Sequence, residues 1–104
     1  LKSEIYLIQN GIRKLKSKNV LLGNSNEIDS LDDASINKKA EKLFSKIVDF
    51  SVTSTDTIEK KIGSWAKLSS KNYTFYLPSN SVLFALENGT FVCKSEENIC
   101  KEVE

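Results

Sequence analysis

The chain of 104 residues has no histidine, no methionine, one proline and one tryptophan. Without histidine there is no Ser-His-Asp or Cys-His nucleophile system, and every zinc site that uses an imidazole is excluded. Two cysteines cannot complete a four-ligand zinc site unless carboxylates or a second chain contribute. Gly11, Gly23, Gly63 and Gly89 are scattered, so no glycine-rich phosphate loop is present. No apolar run approaches the about 20 residues that a membrane-crossing helix needs. These absences argue against an enzyme, and no cofactor is expected. The lack of methionine predicts that the natural reading frame starts upstream of Leu1, with room there for a leader or an anchor.

What is present describes an ordinary globular protein. Hydrophobic residues make up 39% and charged residues 28%, which fits a single domain, 1–104, with one modest core. The formal charge of +1 gives no global reason to expect nucleic acid. Its distribution is uneven: residues 1–24 carry Lys2, Arg13, Lys14, Lys16 and Lys18 against Glu4, a net of +4 that leaves −3 for the remainder.

"LKSEIYLIQNGIRKLKSKNVLLGN" reads as one helix with an apolar stripe at Leu1, Ile5, Ile8, Ile12, Leu15 and Leu22. Basic side chains crowd its second half, where they complement the helix dipole, and Gly23 suits a left-handed cap. No cap precedes the stripe, so the helix is expected to continue upstream. Residues 1–23 thus form a spine, and 24–63 a connecting region that begins with the polar "NSNEIDSLDDAS". A second, shorter helix is expected in that region, with Ile36, Ala40, Leu43, Phe44, Ile47 and Val48 on one face and an end near Phe50.

Residues 64–104 change period. "SWAKL", "YTFYL", "SVLFALE" and "TFVCK" are short strands separated by "SSKN", "PSN" and "NG", turn signals that imply an antiparallel meander of three to four strands. Tyr73, Phe75 and Leu77 should share one face, and Val82, Phe84 and Leu86 one face of the next strand. The fold class is therefore α+β, with the long N-terminal spine helix covering one side of the meander.

Candidate sites each have a plain structural reading. Arg13, Lys14, Lys16 and Lys18 suit DNA phosphates or anionic lipid, or simply the solvated end of a helix. Asp32 and Asp33 look like helix-start residues, and neither they nor Glu96 and Glu97 match a calcium loop or a catalytic carboxylate pair. Tyr73, Phe75, Tyr76, Phe84 and Phe91 suit a core better than a base-stacking platform, and Trp65 a packing anchor at a sheet edge. Asn72-Tyr73-Thr74 and Asn88-Gly89-Thr90 match the N-glycosylation pattern, a weak signal. Cys93 and Cys100, with six residues between them, fit a redox couple, half a metal site or a staple.

With spine, polar connection, meander and C-terminal cysteines in that order, the chain resembles the globular part of a type IV pilin or type II secretion pseudopilin. "IQNGIRKLKSKNVLLGN" is similar to the periplasmic half of that family's first helix, and "LFSKIVDF", "IGSWAKL", "NYTFYL" and "GTFVCK" follow in the family's order. The resemblance implies a subunit anchored in the inner membrane through an upstream helix, with its globular domain in the periplasm. It implies assembly with other pilin or pseudopilin subunits, and with an inner-membrane assembly platform, into a fibre for protein secretion, DNA uptake, competence or adhesion. Tyr6 and Leu7, off the stripe, would then be available for neighbouring subunits. An oxidising periplasm favours a Cys93–Cys100 disulfide tying the tail to the sheet, and the Glu96–Glu97 pair between them disfavours a redox thiol. A secreted or periplasmic binding module, an adhesin or an inhibitor, is the rival reading.

Overall fold

The computed structural model describes residues 2–21, 23, 31–50, 52–87 and 89–103. Helix α1 spans Lys2–Leu21. Ile5, Ile8 and Ile12 of its stripe are buried and Leu15 packs beside them, while Leu1 and Leu22 lie outside the described residues. Beyond the helix end, Gly23 has a φ of 75°, the left-handed conformation in which glycine lacks a Cβ penalty.

After the connection, β1 (Lys42–Leu43) and β2 (Val52–Thr53) form a short antiparallel ladder. Four further strands, β3 (Trp65–Lys67), β4 (Asn72–Tyr76), β5 (Ser81–Glu87) and β6 (Thr90–Cys93), make an antiparallel meander in chain order. The register stacks large side chains in rows: Trp65 opposite Phe75 and Phe75 opposite Val82, then Tyr73 opposite Phe84, and Leu86 opposite Phe91. Period-two alternation sends these residues to one face. There they meet the α1 stripe, so the molecule is α+β with one helix and one sheet sharing a core. Gln9 Nε2 donates to the Phe91 carbonyl, tying α1 to β6. Trp65, buried on edge strand β3, donates its indole N–H to Glu4 Oε2 at 3.1 Å.

Helix α2, Glu97–Val103, closes the described chain. Cys93 and Cys100 are joined by a disulfide with Cα atoms 5.8 Å apart, and Ile99 packs against the core. The tail expected to be tied to the sheet by Cys93 and Cys100 is so tied, and the tied segment is a helix, for which the sequence reading assigned no element.

The connecting region corrects the sequence reading: the short helix expected there, ending near Phe50, does not form among the described residues 31–50. Asn37, Ala40 and Phe44 have φ values of 52°, 60° and 58°, and a left-handed residue interrupts a right-handed helix. The apolar positions that mimic a helical stripe reach the core by turns instead. Phe44 is wholly buried, with its ring centroid 4.7 Å from Tyr73 and 5.4 Å from Trp65. Ile36, expected on the buried face, is exposed.

Gly11 faces this rearranged segment, and a Cβ placed there would overlap the Ile47 carbonyl oxygen. Gly11→Ala would gain about 1 kcal/mol of helix propensity but force backbone apart at a cost of about 1–3 kcal/mol. The expected outcome is a lower urea midpoint for the variant; a raised midpoint would show that α1 and Ile47 do not approach so closely.

Candidate functional site

Asp32 sits at the centre of a densely connected polar cluster. Oδ1 accepts from Lys67 Nζ at 2.7 Å and from the Ala34 N–H at 3.1 Å, and Oδ2 accepts from the Tyr73 hydroxyl at 2.7 Å and the Phe44 N–H at 2.9 Å. Lys67 also donates to the Ala34 carbonyl. The Asp32 side chain is fully buried and that of Lys67 is 6% exposed. Asp32 therefore does not start a helix, as its position beside Asp33 suggested. Asp33 is exposed and pairs with Lys46.

Burial pushes the Asp32 carboxyl upward. The Lys67 ammonium, the Phe44 N–H, the Tyr73 hydroxyl and the Ala34 N–H together outweigh it, and the group is held below its ordinary value. Tyr73 moves far above the usual phenol range, by burial first and then by the adjacent carboxylate. A carboxylate with four donors, sealed from solvent, has no free lone pair for a substrate proton. The cluster is a fastener between the connecting region and strands β3 and β4, with no general base in it.

The other side of α1 is one of the surfaces with exposed apolar groups. Tyr6 is 62% and Leu7 42% exposed, and Arg13, Lys14, Lys16 and Lys18 are exposed as well. The fold divides this set. Leu7, Gly11 and Lys14 line a cleft of about 220 Å³ with Asn10, Ile47 and Phe50. Next to it, Lys14 and Lys18 line a hollow of about 230 Å³ with Ser45, Lys46 and Asp49. Lys16 points elsewhere, its side chain lying over Gly89 in the β5–β6 turn.

Sequence reasoning missed Ile47, Phe50 and Lys46 as neighbours of α1, because it assigned them to a helix. It missed Lys67 and Tyr73 as partners of Asp32 for a different reason. A lysine at the start of "KLSSKN" carries no local signal that an aspartate 35 residues earlier awaits it.

Among the described residues no helix is long and apolar enough to cross a membrane, and no group of three or more metal-ligating side chains is assembled. Comparison with protein-family models, with curated proteins and with solved structures finds no match.

The Asp32 cluster carries a pH signature. Its folded-state value is depressed, so its stabilisation is present above the unfolded aspartate value of about 3.9 and disappears as pH falls through the folded value. Asp32→Asn removes the charge that Lys67 needs and turns an amide toward buried donors, a loss of about 3–5 kcal/mol at neutral pH. Urea midpoints measured from neutral to acid pH should fall for the wild type at the acid end. The variant should start lower and show a shallower acid limb; parallel limbs would remove Asp32 from the pH response.

Proposed function

We propose that this chain is the globular part of a pilin-like or pseudopilin subunit, a non-enzymatic building block of a periplasmic or surface fibre. The observation that carries the reading is the division of labour on α1. One face seals a four-stranded antiparallel meander, and the other leaves Tyr6 and Leu7 in solvent beside an apolar cleft. A helix that ends a monomer's needs on one side and presents large apolar groups on the other suits packing into an assembly. The stapled tail supports an oxidising compartment, in line with export to the periplasm.

In this reading an upstream apolar helix holds the subunit in the inner membrane before assembly. Its partners are other subunits of the fibre and the assembly platform. The fibre would serve secretion, pilus function or DNA uptake. DNA is a partner only if Arg13, Lys14, Lys16 and Lys18 act as a phosphate-binding face. The rival reading, a secreted or periplasmic binding module, shares the α+β shape and the disulfide.

The complete gene separates the two. A pilin-like subunit requires a short basic leader, a glycine before its cleavage point and about 20 apolar residues running in phase into Leu1. Finding instead an ordinary signal peptide with a small-residue cleavage site would overturn the assembly reading. For DNA, retention should be salt-sensitive and be lost when the four basic residues are neutralised; retention that survives neutralisation excludes the patch.

A further inference from the structure

Helix α2 spans seven residues, Glu97–Val103, and a helix that short does not hold itself together in water. Closing its first turn carries a nucleation constant of about 10⁻³, and isolated helices below about 12 residues are marginal even in sequences rich in strong helix formers. The segment "ENICKEV" includes an asparagine, a cysteine and the β-branched Ile99 and Val103, all weaker helix formers than alanine. Glu97 and Lys101 pair at 3.2 Å one turn apart, but their side chains are 84% and 74% exposed, and an exposed pair of this kind contributes little. Something outside the helix therefore holds it.

Few ties reach it from the fold. Sheet hydrogen bonding continues past β6 to Lys94, whose N–H donates to the Leu83 carbonyl, and to Ser95, whose Oγ accepts the Leu83 N–H. Beyond Ser95 the backbone bond is local, from the Cys100 N–H to the Glu96 carbonyl. Among the described residues no hydrogen bond or ion pair connects 96–101 with α1 or with any strand. Ile99 packs against the core, while Glu97, Asn98 and Lys101 are exposed. The other tie is covalent: the disulfide joins Cys100, inside α2, to Cys93 at the end of β6.

The rest of the fold has its own supports. Ile5, Ile8 and Ile12 seat α1, Gln9 bonds it to Phe91, and Asp32 fastens the connecting region to β3 and β4. None of these contacts uses a residue after Cys93.

We propose that α2 is a redox-released latch: it stays folded against the sheet only while Cys93 and Cys100 are joined, and a dithiol reductant frees residues 96–103 without unfolding α1 and the meander. In the exchange one thiolate of the dithiol attacks a cystine sulfur, the protein S–S bond breaks and a mixed disulfide forms. The second thiol of the reductant then displaces the protein sulfur from that mixed disulfide. Two electrons and two protons pass to the protein, which ends with two thiols, and the dithiol ends as a cyclic disulfide. Neither cysteine is sealed in the core, both being half-buried, and the exchange rate depends on that access.

What the latch covers is apolar. Cys93 stands opposite Phe84 and, by the two-residue period, on the same face as Phe91. The rings of Phe84 and Phe91 are stacked in the core with centroids 5.1 Å apart. Opening α2 withdraws Ile99 from that core and uncovers its edge at the end of β6. The C-terminal face thus has two forms, and the thiol poise of the compartment sets which one a neighbouring molecule meets. The device works equally in a fibre subunit and in a binding module.

Hydrogen exchange read by mass spectrometry tests the latch on the intact 104-residue chain, with and without dithiothreitol at neutral pH, beside a Cys93→Ser/Cys100→Ser variant. Alkylation and intact mass verify that two thiols have formed. In the disulfide form the amides of residues 100–103 should be protected. In the reduced chain and in the variant alike they should exchange within about threefold of the unfolded chain, while amides of α1, β4 and β5 stay protected by about a hundredfold or more. Protection of residues 100–103 that survives verified reduction would show that Ile99 alone holds α2 and would overturn the proposal. Loss of protection throughout α1 and the meander would make the disulfide a support of the whole fold, with no latch. Absence of protection at residues 100–103 in the disulfide form, or a disulfide that yields to dithiol only in denaturant, would overturn it as well.

Discussion

The bond network on Asp32 is the constraint on which the connecting region depends. One carboxylate collects the Phe44 and Ala34 amides from its own segment, the Lys67 ammonium from β3 and the Tyr73 hydroxyl from β4. Burying that charge carries a desolvation cost of several kcal/mol, offset only when every lone pair is satisfied in good geometry. Satisfaction requires Phe44 to turn its N–H inward, which it does with a φ of 58°. Left-handed backbone at a bulky residue is unfavourable by about 1–3 kcal/mol and persists only where its surroundings over-determine it. Here they do: the ring of Phe44 contacts Trp65, Tyr73 and Phe91 at 4.7 to 5.9 Å between centroids, while its carbonyl accepts from Ile47 and Val48. The polar fastener and the aromatic core thus enforce the same path for residues 31–48.

The parts of the fold legible from sequence are those whose signal is local. The α1 stripe announces itself at Ile5, Ile8, Ile12 and Leu15, and the meander through alternation at Tyr73 and Phe75 and at Val82, Phe84 and Leu86, with turn residues between. The connecting region defeats the same reasoning because its determinants lie far apart in sequence. Ala40, Leu43, Phe44, Ile47 and Val48 have helical spacing. What overrides that spacing is a buried carboxylate 12 residues before Phe44 and its partners 35 and 41 residues beyond Asp32. A neighbouring device works the same way: Ser54 Oγ accepts the Glu41 N–H and donates to the Lys38 carbonyl, holding the turn around Ala40 against β2. Tertiary partners of this kind outweigh the few tenths of a kcal/mol per residue, roughly, by which helix propensity differs.

The same override shapes the surface of α1. Had residues 36–50 formed a helix, Ile47 and Val48 would have taken their places on its apolar face. In the turn conformation the Ile47 carbonyl instead presses on Gly11, where a residue without a side chain lets the two backbones approach. This close approach makes the walls of the cleft that holds Leu7, Lys14 and Phe50. Tyr6, Leu7 and the basic residues were legible as candidates from the helix alone, but their grouping was not.

A domain of 104 residues has one core to offer, and here α1 contributes a single stripe to it. Apart from Glu4, Gln9 and Gly11, which bond or abut the rest of the fold, the rest of the helix shows Tyr6 and Leu7 to solvent near its start and, toward its end, cations with no ion pair among the described residues. An apolar group left in solvent is by itself unremarkable. In the proposed assembly, a run that combines two such groups with an open cleft and with charge unmatched among the described residues would be the side that meets a neighbouring subunit. The disulfide makes the C-terminal end equally definite, because Cys100 and Ile99 hold α2 against the sheet, and within α2 Glu97 pairs with Lys101.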